Sequence, residues 1–228
     1  MNIEKSVSEN IDVNSLNEAY KHLNPIQRLQ KLFLDFDHDD ILVTSSFGTT
    51  SGILMSMISK AAPGHPIHFI DTTFCFKKTI EYKQTLTDIL GLNIVHILPD
   101  IEENMKAREV SLWETNVDAC CNINKIKPFE PFKLDKKIWV SGLLMNQTPF
   151  RENLNIFEER NDIVKMHPNI DTSAAQFDMY LVDNGIPSHP LKSEGFESVG
   201  CTHCTKKGNG RSGRWAGQSK TECGIHTN

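Results

Sequence analysis

Four of the six cysteines in this 228-residue chain form two close pairs, Cys120–Cys121 and Cys201–Cys204, while Cys223 stands alone near the end. Four thiolates suit either zinc or an iron-sulfur cluster. Neighbouring side chains share one small tetrahedral ion poorly, whereas a cluster offers separate corner irons, so the vicinal pair favours a cluster. Buried cysteines without metal are the plainer alternative. Cys223 lies in KTECGIH, with Lys220 and His226 close by. A thiol among cations in an exposed tail can act as a nucleophile; an incidental exposed cysteine is the bland reading.

Other residues suit an anion. In GRSGRW, Arg211 and Arg214 stand three apart, a spacing at which two guanidinium forks can clamp an oxyanion rather than simply face solvent. The stretch SSFGTTSG contains Ser45, Ser46, Phe47, Gly48 and Thr49, and it falls where a strand-like run gives way to a helical one. Backbone N–H groups and hydroxyls converge on an anion at such a turn. No lysine follows its last glycine, so it is not a Walker loop. An ordinary turn capped by Ser or Thr is the alternative. Cys75, between Phe74 and Phe76, reads as a small core residue, and the three tryptophans read as core or contact residues. The spacing of His65, His68, His96, His167 and His189 suggests no ligand set.

The elements that must position these groups follow from periodicity. Apolar residues at helical spacing in the first forty positions, broken at Pro25, predict two helices. ILVTSS, HPIHFIDT and LNIVHILPD read as strands separated by the helical runs ILMSMISKAA and KKTIEYKQTLTDILG, the pattern of parallel βαβ units. IWVSGL adds a strand, IVKMHPNID follows it, and AAQFDMYLVDNG is a helix ended by Gly185. The prediction is α/β: an open, mostly parallel sheet with helices on both faces and its ligand at the strands' carboxyl ends. The helical segment is 1–40, the α/β domain with the paired cysteines 41–204, and a Gly- and cation-rich mobile tail 205–228.

A net charge of −5 argues against a chain built to hold nucleic acid. With 39% hydrophobic and 23% charged residues, no long apolar run and no export-type start, a cytoplasmic protein without a membrane span is expected. Cytosolic thiols stay reduced, which favours metal binding or thiol chemistry for most of the six.

Taken jointly, SSFG, DTTFCFKKT, CCNINKIKP, SGLLMNQTPFR, IPSHPLKSEGFESVGCTHCT and GRSGRW through KTECGIH resemble the assimilatory reductases of adenosine 5′-phosphosulfate (APS) and its 3′-phosphorylated form (PAPS). They occur in that family's order over about residues 40–226. The resemblance implies an adenine-nucleotide α hydrolase-like fold, with the SSFG loop and Asp71 at the nucleotide. It implies a [4Fe-4S] cluster on Cys120, Cys121, Cys201 and Cys204, with Lys125 between cluster and substrate. Arg211, Arg214 and His226 would contact the phosphosulfate, helped by Arg151. Cys223 would take the sulfonyl group, and thioredoxin or a similar dithiol donor would release it as sulfite; a homo-oligomer stays open. The four cluster cysteines favour APS, with a PAPS or dual-substrate reductase as the alternative. Where the family commonly carries arginine, this chain has Asn124, Leu144 and Met145. Two rivals explain less. An ATP-cleaving nucleotidyl transferase would carry SGGxDS in place of SSFGTTS, and a non-catalytic metal-bound redox sensor leaves the arginines and the SSFG loop without a role.

Overall fold

The computed structural model describes residues 11–160, 163–218 and 220–227; the first ten residues, which bear on the absence of an export signal, lie outside them. Asp12 accepts from two N–H groups to start α1 (Val13–Tyr20), and Asn24 with Gln27 forms a capping box on α2 (Pro25–Asp35). Pro25 at the head of α2 gives up an N–H that would have had no helical partner.

Alternation then follows: β1 (Ile41–Ser45), α3 (Ser51–Ala61), β2 (Pro66–Ile70), α4 (Lys77–Leu90) and β3 (Asn93–Ile97). Helix α4 stops where Gly91 takes φ 62°, a conformation that costs glycine little. A winding crossover carries α5 (Ile101–Glu109), α6 (Leu112–Thr115), α7 (Val117–Cys121), a π-helical turn at Asn122–Ile126 and α8 (Lys127–Lys133). After β4 (Ile138–Val140) come α9 (Pro149–Glu152), β5 (Phe157–Arg160), β6 (Ile163–Met166), α10 (Ala174–Asp183) and α11 (Gly224–Thr227).

The strands order as β3-β2-β1-β4-β6-β5, all pairs parallel except β5 with β6. Strand order reverses between β1 and β4, and a crevice at their carboxyl ends is the expected ligand position. Both faces are covered. Ile41 and Val43 join a large core with α2, α3 and α10, while Leu42 packs with Ile97, Phe129, Trp139 and Ile163 on the other side. Strands buried on both faces read as unbroken apolar runs, which is why ILV and IWV are legible.

The structure adds elements that periodicity does not show. Strand β5, sequence FEER, is an antiparallel edge strand carrying charge. Helix α5 leaves Ile101 and Met105 exposed, so it lacks a clean apolar stripe. Residues 205–218 pair back onto the preceding loop: Lys206 N–H donates to Gly213 at 2.8 Å, and Trp215 N–H to Cys204 at 3.0 Å. A Cβ at Gly213 would lie 2.0 Å from the Lys206 carbonyl oxygen, so this hairpin requires glycine there. The segment read as the start of a mobile tail thus carries ordered hydrogen bonds to the Cys201–Cys204 loop. No helix among the described residues is long and apolar enough to cross a membrane.

Candidate active site

Strand β1 ends at Ser45, whose Oγ accepts from the Phe47 N–H at 3.1 Å. The turn this makes puts Phe47 at φ 47°, a costly conformation for a bulky residue, and drops its ring into the core 5.6 Å from that of Phe69. Core burial offsets the strain. Thr49 Oγ1 donates to the Glu197 carbonyl at 2.6 Å and ties the loop to the segment before Cys201. Thr50 at the head of α3 makes no side-chain cap, and the first helical N–H, that of Ser51, donates to the Gly48 carbonyl at 3.0 Å. The side-chain cap of the alternative reading is absent at Thr50.

A cavity of about 170 Å³ opens at the β1/β4 reversal. Ser45, Ser46, Gly48 and Thr49 line one side, Lys125 and Arg151 reach in from the crossover and the loop after β4, and Arg211, Arg214, Cys223 and His226 close it from the tail. Phe47 and Asp71 do not line it. The Phe47 side chain belongs to the core, and Asp71 accepts from the Thr73 N–H at 2.9 Å, building the turn that precedes Cys75. The three departures from arginine are also accounted for. Asn124 is buried, bonded to the Cys120 carbonyl at 2.9 Å and to Asn104 at 2.6 Å, while Leu144 is buried and Met145 packs on the core.

Charge around the cavity is strongly positive. Desolvation would lower the Lys125 pKa, but the Cys201, Cys223 and Cys121 sulfurs outweigh it and hold Lys125 protonated. Burial, with Arg151 nearby, brings Arg211 down to about 10, still charged at neutral pH. The Arg214 guanidinium donates to the Val199 carbonyl at 3.1 Å and lies 4.4 Å over the Trp215 ring. A Cβ at Gly200 would stand 2.2 Å from that guanidinium, so this approach depends on glycine. Desolvation, then Lys165 and Arg151, push His226 well below the usual imidazole value; it is a neutral hydrogen-bonding group stacked on Trp139. Arg211 Nε, Arg214 Nε, Trp215 Nε1 and His226 Nδ1, all on cavity-lining residues, are buried without a partner.

Two residues invisible to spacing hold the tail. The Glu222 carboxylate accepts from Thr148 Oγ1 at 2.7 Å and from Arg151 Nε and Nη2 at 2.9 and 2.7 Å. Burial would raise its pKa, yet Arg151 and Arg211 hold it below the usual carboxylate value. Lys165, on β6, lies in an apolar strand whose pattern gives no hint of a buried amine.

The cysteines come together from three segments. Cys120 and Cys121 end α7 just before the π-turn, an irregularity frequent at functional sites, and Cys201 and Cys204 flank a short 3₁₀ turn. All are free thiols. Burial and mutual proximity raise Cys120 and Cys121 to about 11: Cys121 and Cys201 act on Cys120, and Cys223 and Cys201 on Cys121. Cys204 is raised by burial and by Cys201. Thr72 Oγ1 lies 3.2 Å from Cys201 Sγ, and Phe74 and Trp113 pack around the group. Cys75, read as a core residue, is half-buried and bridges to Cys201 backbone to backbone. Among the described residues no group of three or more His, Cys, Asp or Glu side chains is placed to hold a single metal ion.

A mostly parallel sheet, covered on both faces and with a cation-lined cavity where its strand order reverses, defines an open-sheet α/β protein. The chain belongs to the phosphoadenosine phosphosulfate reductase family, whose domain profile matches residues 40–207. It is 32% identical over 218 residues to the adenosine 5′-phosphosulfate reductase of Mesorhizobium japonicum, covering 92% of this chain and 85% of that protein. The corresponding figures for the same-named protein of Bacillus mycoides are 34% over 197 residues, 82% and 84%. The crystal structure of PAPS reductase from Candida auris, a phosphate complex, superposes with TM-score 0.74 at 25% identity over 89% of this chain and all of that one. Candida glabrata FMN adenylyltransferase shares the fold alone, at TM-score 0.56 and 16% identity over 90% of this chain and 70% of that one. The fold is the adenine-nucleotide α hydrolase-like one that the sequence resemblance implied.

Proposed function

We propose that this chain is an adenosine 5′-phosphosulfate reductase, forming sulfite and AMP in sulfate assimilation with a dithiol protein such as thioredoxin as reductant. The carrying observation is that Cys223 lines one cavity with Lys125, Arg151, Arg211, Arg214 and His226 at the end of β1. The relatives named for APS reduction support the same reading.

The chemistry follows from the residues. The Cys223 thiolate attacks the sulfur of the phosphosulfate; a sulfur–sulfur bond forms, and the bond from sulfur to the bridging oxygen breaks. AMP leaves with that electron pair. Lys125, Arg211 and Arg214 stabilise the charge gathering on its phosphate, since preplaced cations act where charge develops. The neutral His226 donates or accepts one hydrogen bond there, and unpartnered donors such as Arg211 Nε and Arg214 Nε find acceptors in the ligand's oxygens. A donor thiolate then attacks Cys223 Sγ, expelling sulfite with the bonding pair and leaving a mixed disulfide. The donor's second thiol resolves that disulfide and returns Cys223 to the thiol, so the donor is oxidised by two electrons as the sulfonyl group is reduced.

Cys120, Cys121, Cys201 and Cys204 fit a [4Fe-4S] cluster: four reduced thiols, three of them (Cys120, Cys201 and Cys204) packed with Phe74 and Trp113, with Lys125 and Arg214 to balance thiolate charge. When bound, the cluster supplies a fixed charge and a covalent tie between α7 and the Cys201–Cys204 loop. Lys125, which lines the cavity and is influenced by the Cys201 and Cys121 sulfurs, would orient the substrate's sulfonyl end.

The test is sulfite release from APS, and separately from PAPS, by anaerobically purified protein with thioredoxin, alongside iron and acid-labile sulfide. APS turnover that disappears in Cys223→Ser is expected. Preference for PAPS would support the reading that the Candida auris neighbour favours, and no turnover of either would end the proposal.

A further inference from the structure

Glu222 immediately precedes Cys223, yet it is not among the residues that line the cavity with Cys223. Its carboxylate is buried, with the side chains of Glu222 and Arg151 only 3% and 4% exposed. Thr148 and Arg151, from the loop and short helix after β4, supply three hydrogen bonds to it, and Arg211 approaches at 3.5 Å. Arg151 is in turn fixed from behind by the Gln147 amide oxygen. A bidentate guanidinium–carboxylate pair is both strong and directional, and a buried one does not fray as an exposed pair does. Arg151 and Arg211 also line the cavity. One carboxylate therefore touches the two things that sulfur transfer needs placed together, the nucleophile-bearing tail and two of the cavity's cations.

We propose that Glu222 is a positioning residue: by docking between Thr148, Arg151 and Arg211 it latches the tail, seats Cys223 over the bound phosphosulfate, and aims the two arginines. The latch serves the first half of the reaction only. Sulfur transfer requires the tail closed, whereas attack by a protein dithiol on the S-sulfonated Cys223 requires it open. Weakening the latch slows the first step and leaves the second unhindered. A residue needed merely for folding would slow both. The assignment rests on Cys223 being the sulfur acceptor proposed above, but docking itself is measurable without substrate.

Glu222→Gln keeps the shape and removes the charge. Two measurements test it: the rate of AMP formation in a single turnover without donor, and the rate at which thioredoxin releases sulfite from pre-formed S-sulfonated enzyme. The first is expected to fall by about tenfold to a hundredfold, the scale of a lost charged hydrogen bond; the second is expected to hold or rise. In parallel, iodoacetamide labelling of Cys223, followed on the tail peptide by mass spectrometry, is expected to run about tenfold faster in the variant. Equal slowing of both half-reactions, or unchanged labelling, overturns the proposal. Wild-type protein that consumes no APS ends the functional reading, and labelling then decides the latch by itself. Should Glu222→Gln fail to fold, Thr148→Val removes one donor without stranding a charge, and it is expected to shift the same readouts in the same directions by less.

Discussion

Lys165 Nζ donates to the carbonyl of Ile225 across 2.9 Å, joining β6 to the helical turn that follows Cys223. The same amine lies 4.1 Å over the Trp139 ring, and that ring stacks with His226 on its own account. Tail and sheet thus share a contact built from a buried amine, an indole and a neutral imidazole. It complements the Glu222 attachment on the other side of Cys223.

Lys165 should make stability pH-dependent on the alkaline side. Burial, with Arg160 and Lys133 nearby, lowers its pKa from about 10.5 to about 7. Between those values the unfolded chain binds a proton that the folded chain does not, so stability rises as pH increases through the window. The slope is at most about 1.4 kcal/mol per pH unit. Urea midpoints at pH 7 and pH 9 are expected to show this gain in wild type and a smaller gain in Lys165→Met. Equal gains in the two proteins would show that the amine does not titrate as described.

Three buried histidines act at lower pH. Burial pushes His65 and His189 to about 4 and His167 to about 3, each ordinarily near 6.5. From pH 6.5 down to about 4 the unfolded chain takes up protons that the folded chain refuses, so stability falls as pH falls. Each contributes up to about 1.4 kcal/mol per pH unit within its window. The measurable outcome is a urea midpoint that drops between pH 6.5 and 5, with proton uptake on unfolding. A flat midpoint over that range would mean that these rings are charged in the fold.

Cys201→Ser tests the metal assignment. Cys201 has electrostatic contact with Cys120, Cys121 and Cys204, and it shares the Thr72 hydroxyl. Iron is expected to fall from about four per chain to near zero, with sulfite release lost in parallel. An active protein without iron would separate the cysteines from the function.

The α/β order and much of the site were legible because they are carried by local patterns. ILVTSS and IWVSGL open on short β-branched and aromatic apolar runs that read as buried strands, and Ser45 through Gly52 announce a turn into a helix. Ser45, Lys125, Arg211, Arg214, Cys223 and His226, far apart in the chain, line one cavity. Sequence cannot say which way a loop side chain turns: that of Phe47 enters the core and that of Asp71 caps its own turn. Glu222 and Lys165 were hidden for a different reason. Their roles are set by partners 71 and 60 residues away, and nothing near them in the chain encodes the pairing.

Where the tail is cut should decide what is lost. Residues 205–218 bond to the Cys201–Cys204 loop, and Glu222 through His226 attach separately to Arg151, Lys165 and Trp139. Ending the chain at Thr221 spares the hairpin and removes the nucleophile. Arg151 loses its carboxylate but gains water, since the segment covering it is gone, so the fold should hold. The truncated protein is expected to keep its iron and to bind AMP, while sulfite release falls by more than about a thousandfold, the scale for losing a nucleophile. Ending the chain at Cys204 should instead cost the iron as well, because Trp215 N–H no longer meets the Cys204 carbonyl and Arg214 no longer faces the sulfurs. Iron analysis, AMP binding by calorimetry and sulfite assay on the two truncations distinguish the cases. Full iron in the shorter chain would show that the hairpin is dispensable to the cysteine loop, and turnover by the longer one would remove Cys223 from the reaction.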